Sequence, residues 1–171
     1  MKKQPIGHLL AGAVIAGMLI LYSIVLLLSE QMANQKLAWF SYLFMVLALV
    51  YFIREHGKIN NHQLQFGQLF SYGFKATAFA TILMLAFQVV FNMIFPEMKD
   101  KFIEIALEQM SADPRVTEEA MDAGIEIIKK TFWPLLIAGT LFGTMVVGLV
   151  GSLIGAAVTQ KNPATPFESF E

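Results

Sequence analysis

No cysteine occurs in this 171-residue chain. Its absence excludes disulfides, thiolate nucleophiles and sulfur-ligated metal sites together, and fits any redox compartment. Histidine is nearly as scarce, with three residues, and charged side chains make up only 15% of the chain. With a net charge of −1 there is no bulk field to draw in nucleic acid. The acids that exist form no alternating Asp/Asn loop with a glycine and a closing Glu, so no calcium loop is expected. Gly148-Leu149-Val150-Gly151 lies in an apolar run and follows no strand, which excludes a dinucleotide or pyrophosphate loop.

What is abundant is apolar surface, at 56% hydrophobic residues and a mean hydropathy of +0.60. The sparse charges are segregated, leaving four charge-poor runs, as in a polytopic membrane protein. The predicted fold is therefore all-α, with transmembrane spans at about 6–28, 37–53, 76–95 and 132–158. An extramembrane helical hairpin over 96–131 separates the third and fourth spans. Residues 1–160 read as one transmembrane domain and 161–171 as a disordered tail, because Gln160–Glu171 carries prolines and no periodicity. Lys2 and Lys3 ahead of the first run suggest a signal peptide. However, that run is too long for a signal core and lacks a small-x-small site, so it reads as a retained anchor.

The last run, Phe132 to Val158, is the richest in information. It is uncharged and carries Gly139, Gly143, Gly148, Gly151 and Gly155. A glycine costs ~1 kcal/mol against alanine in a soluble helix, but in lipid it lets two backbones approach closely. Gly139/Gly143 and Gly151/Gly155 each stand one turn apart, as do Ala13/Gly17 beside Gly12 in the first span. These positions are the expected helix-packing surfaces. Nothing in a single sequence separates contacts within the chain from contacts between chains.

The third span holds Thr77, Thr81, Gln88 and Asn92 close to one stripe. An amide in hydrocarbon needs a partner, so the stripe is expected to face inward. Interhelical hydrogen bonding is the simpler use; a polar lining for a solute path is the other. His8 sits at the membrane edge, where a proton carrier and an ordinary interfacial histidine are both conceivable. His56 and His62, in the basic segment Arg54–Lys75, have neither helical-pair nor zinc spacing. In that segment Gly57-Lys58-Ile59-Asn60-Asn61 is turn chemistry, followed by a short interfacial stretch.

The hairpin is acidic. Met98, Phe102, Ile105 and Ala106 recur at helical spacing, and Met121, Ile125 and Ile128 form a second stripe. Between them Ser111-Ala112 breaks the pattern, with Asp113 as a helix cap and Pro114 at a first helical position. Pro134 is expected to kink the join to the last span.

An even number of spans puts both termini on one side, and Lys2, Lys3 and the basic second loop place them in the cytoplasm. The hairpin then lies outside. Lys129 and Lys130 oppose this orientation.

Taken together, the basic second loop with Phe66-Gly67-Gln68-Leu69-Phe70 leading through Gly73 into span three, the long acidic hairpin and the glycine-rich last span form a pattern. It resembles the bacterial inner-membrane proteins known as domain of unknown function 4199, common in the Bacteroidota, over about residues 5–160. The resemblance implies a four-helix membrane protein with no assigned activity, and brings no catalytic residues to carry over.

The expected function is a non-enzymatic structural or accessory subunit, with lipid and a second copy or another membrane protein as partners. A homo-oligomeric small-solute carrier or channel is the alternative. An enzyme is not expected, since Ser23, Ser41 and Ser152 lie in spans without His, Asp or Glu to activate them. No cofactor or metal site is expected.

Overall fold

A computed structural model describes residues 6–32, 34–112 and 116–161. Over these residues the fold is helical: α1 His8–Leu28, α2 Gln35–Ile59, α3 Phe66–Ile94, α4 Glu97–Ser111 and α5 Glu118–Val158. Four of them, all but α4, are long and apolar enough to cross a membrane. The all-α, four-span reading is thus the observed one, with α4 between the third and fourth spans.

Helix and hydrocarbon boundaries do not coincide. The expected turn at Gly57-Lys58-Ile59 is instead the last turn of α2, and the expected interfacial stretch is the first part of α3. Extending an existing helix a turn into water costs little once it is nucleated, and Lys58 steadies the extension with an ion pair to Glu55 at 2.6 Å. The chain reverses only where Asn61 and His62 take left-handed φ values of 53° and 60°, a conformation most accessible to Asn among side-chain-bearing residues. The expected kink before the last span is observed: the run labelled α5 is two helices that meet across non-helical Thr131 (φ −110°, ψ 18°). Pro134 lies three residues on, with no N–H to donate and a ring that crowds the preceding turn. Asp113 and Pro114 lie outside the described residues; α5 starts at Glu118, where the Thr117 hydroxyl accepts from the Ala120 N–H at 3.2 Å.

The chain groups into two compact units, Met1–Met84 with Gly143–Glu171, and Leu85–Phe142. In the first, Ala11, Ile15 and Leu19 of α1 meet Leu49 and Ile53 of α2, Leu69, Ala76 and Ala80 of α3 and Ala156 of α5 in a single core. Small residues on α1 and α3 set the close spacing. Tyr22 also ties α1 to α2, its hydroxyl donating to the Leu37 carbonyl at 2.7 Å. In the second unit, α4 lies along the start of α5. Met98, Ile103 and Phe132 are buried, the Phe102 and Phe132 rings stand 6.4 Å apart, and Lys99 lies 5.6 Å from the Phe132 ring centre. Gly124 leaves room for the Met110 side chain, whose Cε would be 2.6 Å from a Cβ there. Helix α4 thus packs on α5 through Phe102 against Phe132 and Met110 beside Gly124, with Ile103 buried in addition to the predicted Met98.

Outward faces are apolar: Leu21, Leu28 and Phe142 are 65%, 79% and 75% exposed. In water this would be a liability; on candidate spans it is the surface that contacts lipid.

Candidate functional site: polar residues within and at the end of the helices

Two places concentrate polar groups. The first is the α3–α5 contact. In the first unit, Thr77 is fully buried with its side chain in the space left by Gly148. One turn along α3, the Thr81 hydroxyl lies 2.9 Å from the Thr144 hydroxyl and donates to the Thr77 carbonyl, also at 2.9 Å. One turn the other way, a Cβ on Gly73 would lie 2.8 Å from the Ser152 Oγ. Each step up α3 is matched by a step down α5: a glycine faces a hydroxyl at Gly73–Ser152 and Thr77–Gly148, and two hydroxyls meet at Thr81–Thr144. In the second unit, the Thr140 hydroxyl donates to Gln88 Oε1 at 2.7 Å, and Asn92 Nδ2 donates to the Gln88 carbonyl at 2.9 Å. Three buried polar atoms on or beside the stripe have no partner: Thr77 Oγ1, Ser152 Oγ and Asn92 Oδ1. The sequence offers Thr144, Gly148 and Ser152 as a row of small residues one turn apart on the last span, but neither their pairing with the α3 stripe nor the part of Thr140 is visible until α5 is laid antiparallel to α3.

The glycines divide. A Cβ on Gly12 would stand 2.5 Å from the Ala76 carbonyl oxygen, so α1 and α3 approach backbone to backbone there. Gly151 and Gly155 lie against α2, their missing Cβ positions 3.4 Å from Val46 Cα and 3.3 Å from Val50 Cα. Gly143 has only the Tyr42 hydroxyl at 3.7 Å, and nothing lies within 4 Å of Gly17 or Gly139. Ala13 is half-buried.

The second place is a cavity of about 460 Å³ in the first unit, where α1 begins, α2 ends and α3 begins. His8, His56, Gln68, Ser71, Tyr72 and Lys75 line it, with no acid among the lining residues. The His56 ring stacks on Tyr72 at 4.0 Å and 10°, and the Tyr72 hydroxyl donates to the Ile6 carbonyl at 2.9 Å. His56 Nδ1 is shielded from solvent without a partner. Gln68 returns its side-chain oxygen to the Gln65 N–H at 2.8 Å, half of a capping box at the α3 start. Taken singly, His8 and His56 carried no chemistry in the sequence. The signal that joins them is topological: the start of span one, the end of span two and the start of span three fall at the same membrane edge. His62 goes elsewhere, its Nδ1 3.0 Å from the Gln160 carbonyl oxygen. Among the described residues no group of His, Asp and Glu is placed to hold a metal ion.

Apolar spans with inward polar contacts and lipid-facing flanks define a multi-pass helical membrane protein. The model of the family described as Protein of unknown function (DUF4199) matches residues 6–161, and the chain belongs to that family. No curated protein and no solved structure matches it.

Proposed function

We propose that the protein is a non-enzymatic structural or accessory subunit of a bacterial inner membrane, with cytoplasmic termini and the 96–131 hairpin outside. The observation that supports this most is how the stripe on α3 is used. Thr81 and Gln88 are bonded to Thr144 and Thr140 of the same chain, so these polar side chains hold α3 to α5. The open positions Gly17 and Gly139 are then the small-residue sites left for a second copy or another membrane protein. Disulfide trapping in this cysteine-free chain tests the reading. Gly139→Cys is expected to link between chains in the membrane, and Gly151→Cys is not. Absence of any interchain link at Gly139 and Gly17, with no partner co-purifying, would remove the subunit reading.

A homo-oligomeric solute carrier is the second reading, favoured by the unpartnered buried Thr77 Oγ1 and Asn92 Oδ1. It requires liposome flux that drops in a Thr77→Val/Asn92→Leu variant. Flux indistinguishable from that of empty vesicles rejects it.

A further inference from the structure

We propose that the cavity between the start of α1, the end of α2 and the start of α3 binds a phosphate-type anion. Lys75 and the imidazoles of His8 and His56 line one concavity, and no carboxylate is among its described lining residues. Among the described residues Lys75 forms no ion pair, whereas Lys58 at the end of α2 is engaged by Glu55 at 2.6 Å. An ammonium and two imidazoles with no carboxylate among the described lining residues suit an anion better than a neutral ligand.

Uncharged donors point to an oxyanion. Ser71 supplies a hydroxyl, and Gln68, its oxygen already given to Gln65, offers its amide N–H groups. Tyr72 is spent on Ile6, so its role is to hold the chain before α1 against α3. Two helix starts also reach the cavity through Gly7 and His8 of α1 and Gly67 and Gln68 of α3. Neither α1 nor α3 has an acid in its first turn to neutralise the positive end of its dipole. The volume, about 460 Å³, lies within the ~300–1,000 Å³ of small-ligand pockets and exceeds what a bare phosphate fills. Exposed Leu9 and Leu10 follow His8 directly, so an acyl chain has apolar surface beside the site. The shared chemistry is a phosphate group, carried by an anionic glycerophospholipid or free in solution.

The test uses the full chain, delipidated in an uncharged detergent. Binding of phosphatidylglycerol is counted by native mass spectrometry with phosphatidylcholine as the zwitterionic control, and inorganic phosphate is titrated calorimetrically. Wild type is expected to bind one of the two probes, and Lys75→Gln/His8→Gln to bind it about tenfold or more weakly, the loss of charge-assisted contacts. Lys58→Gln removes the same charge at the same end of the helices outside the cavity and is expected to stay within about twofold. Retention of phosphatidylglycerol identifies a headgroup site; a phosphate isotherm without lipid retention identifies a soluble anion. Lys75 is exposed, so Lys75→Gln alone keeps the fold and carries the test if the double variant does not. Binding of neither probe by wild type overturns the proposal. So does undiminished binding by the lysine variant, or equal weakening by Lys58→Gln.

Discussion

Gly139/Gly143 and Gly151/Gly155 are the same motif on the same helix, yet they meet different surroundings. Around Gly151 and Gly155 the α2 backbone comes within 3.3–3.4 Å of where a Cβ would be, whereas Gly139 has open space and Gly143 a single contact at 3.7 Å. A small-xxx-small pair therefore states that close approach is permitted, not that it happens. What decides is whether another helix crosses there. Helix α2 does so along Val46, Val50 and Ile53 in the first unit, and nothing described does so at Gly139.

The contrast can be broken most easily at the tightest positions. Gly148→Leu and Gly12→Leu should each cost about 3 kcal/mol or more, because the obstacles are the buried β-branched Thr77 and the Ala76 backbone carbonyl, neither of which can swing aside. Thermal unfolding in detergent reads this directly. Gly139→Leu should not lower the midpoint of the isolated chain. If it proves as damaging, a second chain covers Gly139 and the open surface is an interface.

Next in size is the pair of hydroxyls that α3 and α5 share. A double-mutant cycle over Thr81→Val and Thr144→Val should return a coupling of ~0.6–1.7 kcal/mol, the span measured for interhelical hydrogen bonds in lipid. A coupling of zero would mean that each hydroxyl is satisfied by its own backbone.

Smaller still, Gly139→Ala should stabilise by ~0.4–1 kcal/mol, since a helical glycine with nothing beside it loses backbone entropy and gains no approach. At Gly12 the same substitution should reverse sign, with the Ala76 carbonyl oxygen at 2.5 Å from the new Cβ. Least of all, Thr77→Val should be neutral. Its Oγ1 is buried without a partner, so replacing the hydroxyl by a methyl removes a desolvated group and keeps the shape. A marked loss of stability would show that Thr77 is bonded through water or solute, which would strengthen the carrier reading.

Much was legible before any coordinates. Uncharged runs in Ile6–Leu28 and Phe132–Val158 dictate spans, because an unpaired backbone in hydrocarbon is too costly for anything but a helix. Pro134 announces a disruption in its neighbourhood, and the break falls at Thr131. Helix ends were less legible. Arg54, His56 and Lys58 look like a loop by polarity, yet they continue α2, since charge ends the hydrocarbon without ending the hydrogen-bond ladder. Partners were not legible at all. That Gln88 meets Thr140 and that His8, His56 and Lys75 share a cavity depends on the register between helices.

Composition and run length by themselves determined that this chain is helical and carries four candidate membrane spans, because those properties follow from local hydropathy summed over ~20 residues. Which glycines are closely approached, which polar atoms are paired and where His8, His56 and Lys75 meet were decided only by tertiary packing. Those outcomes rest on ångström-scale distances between residues far apart in the chain, such as Thr81 and Thr144 at 2.9 Å. No local pattern encodes such distances.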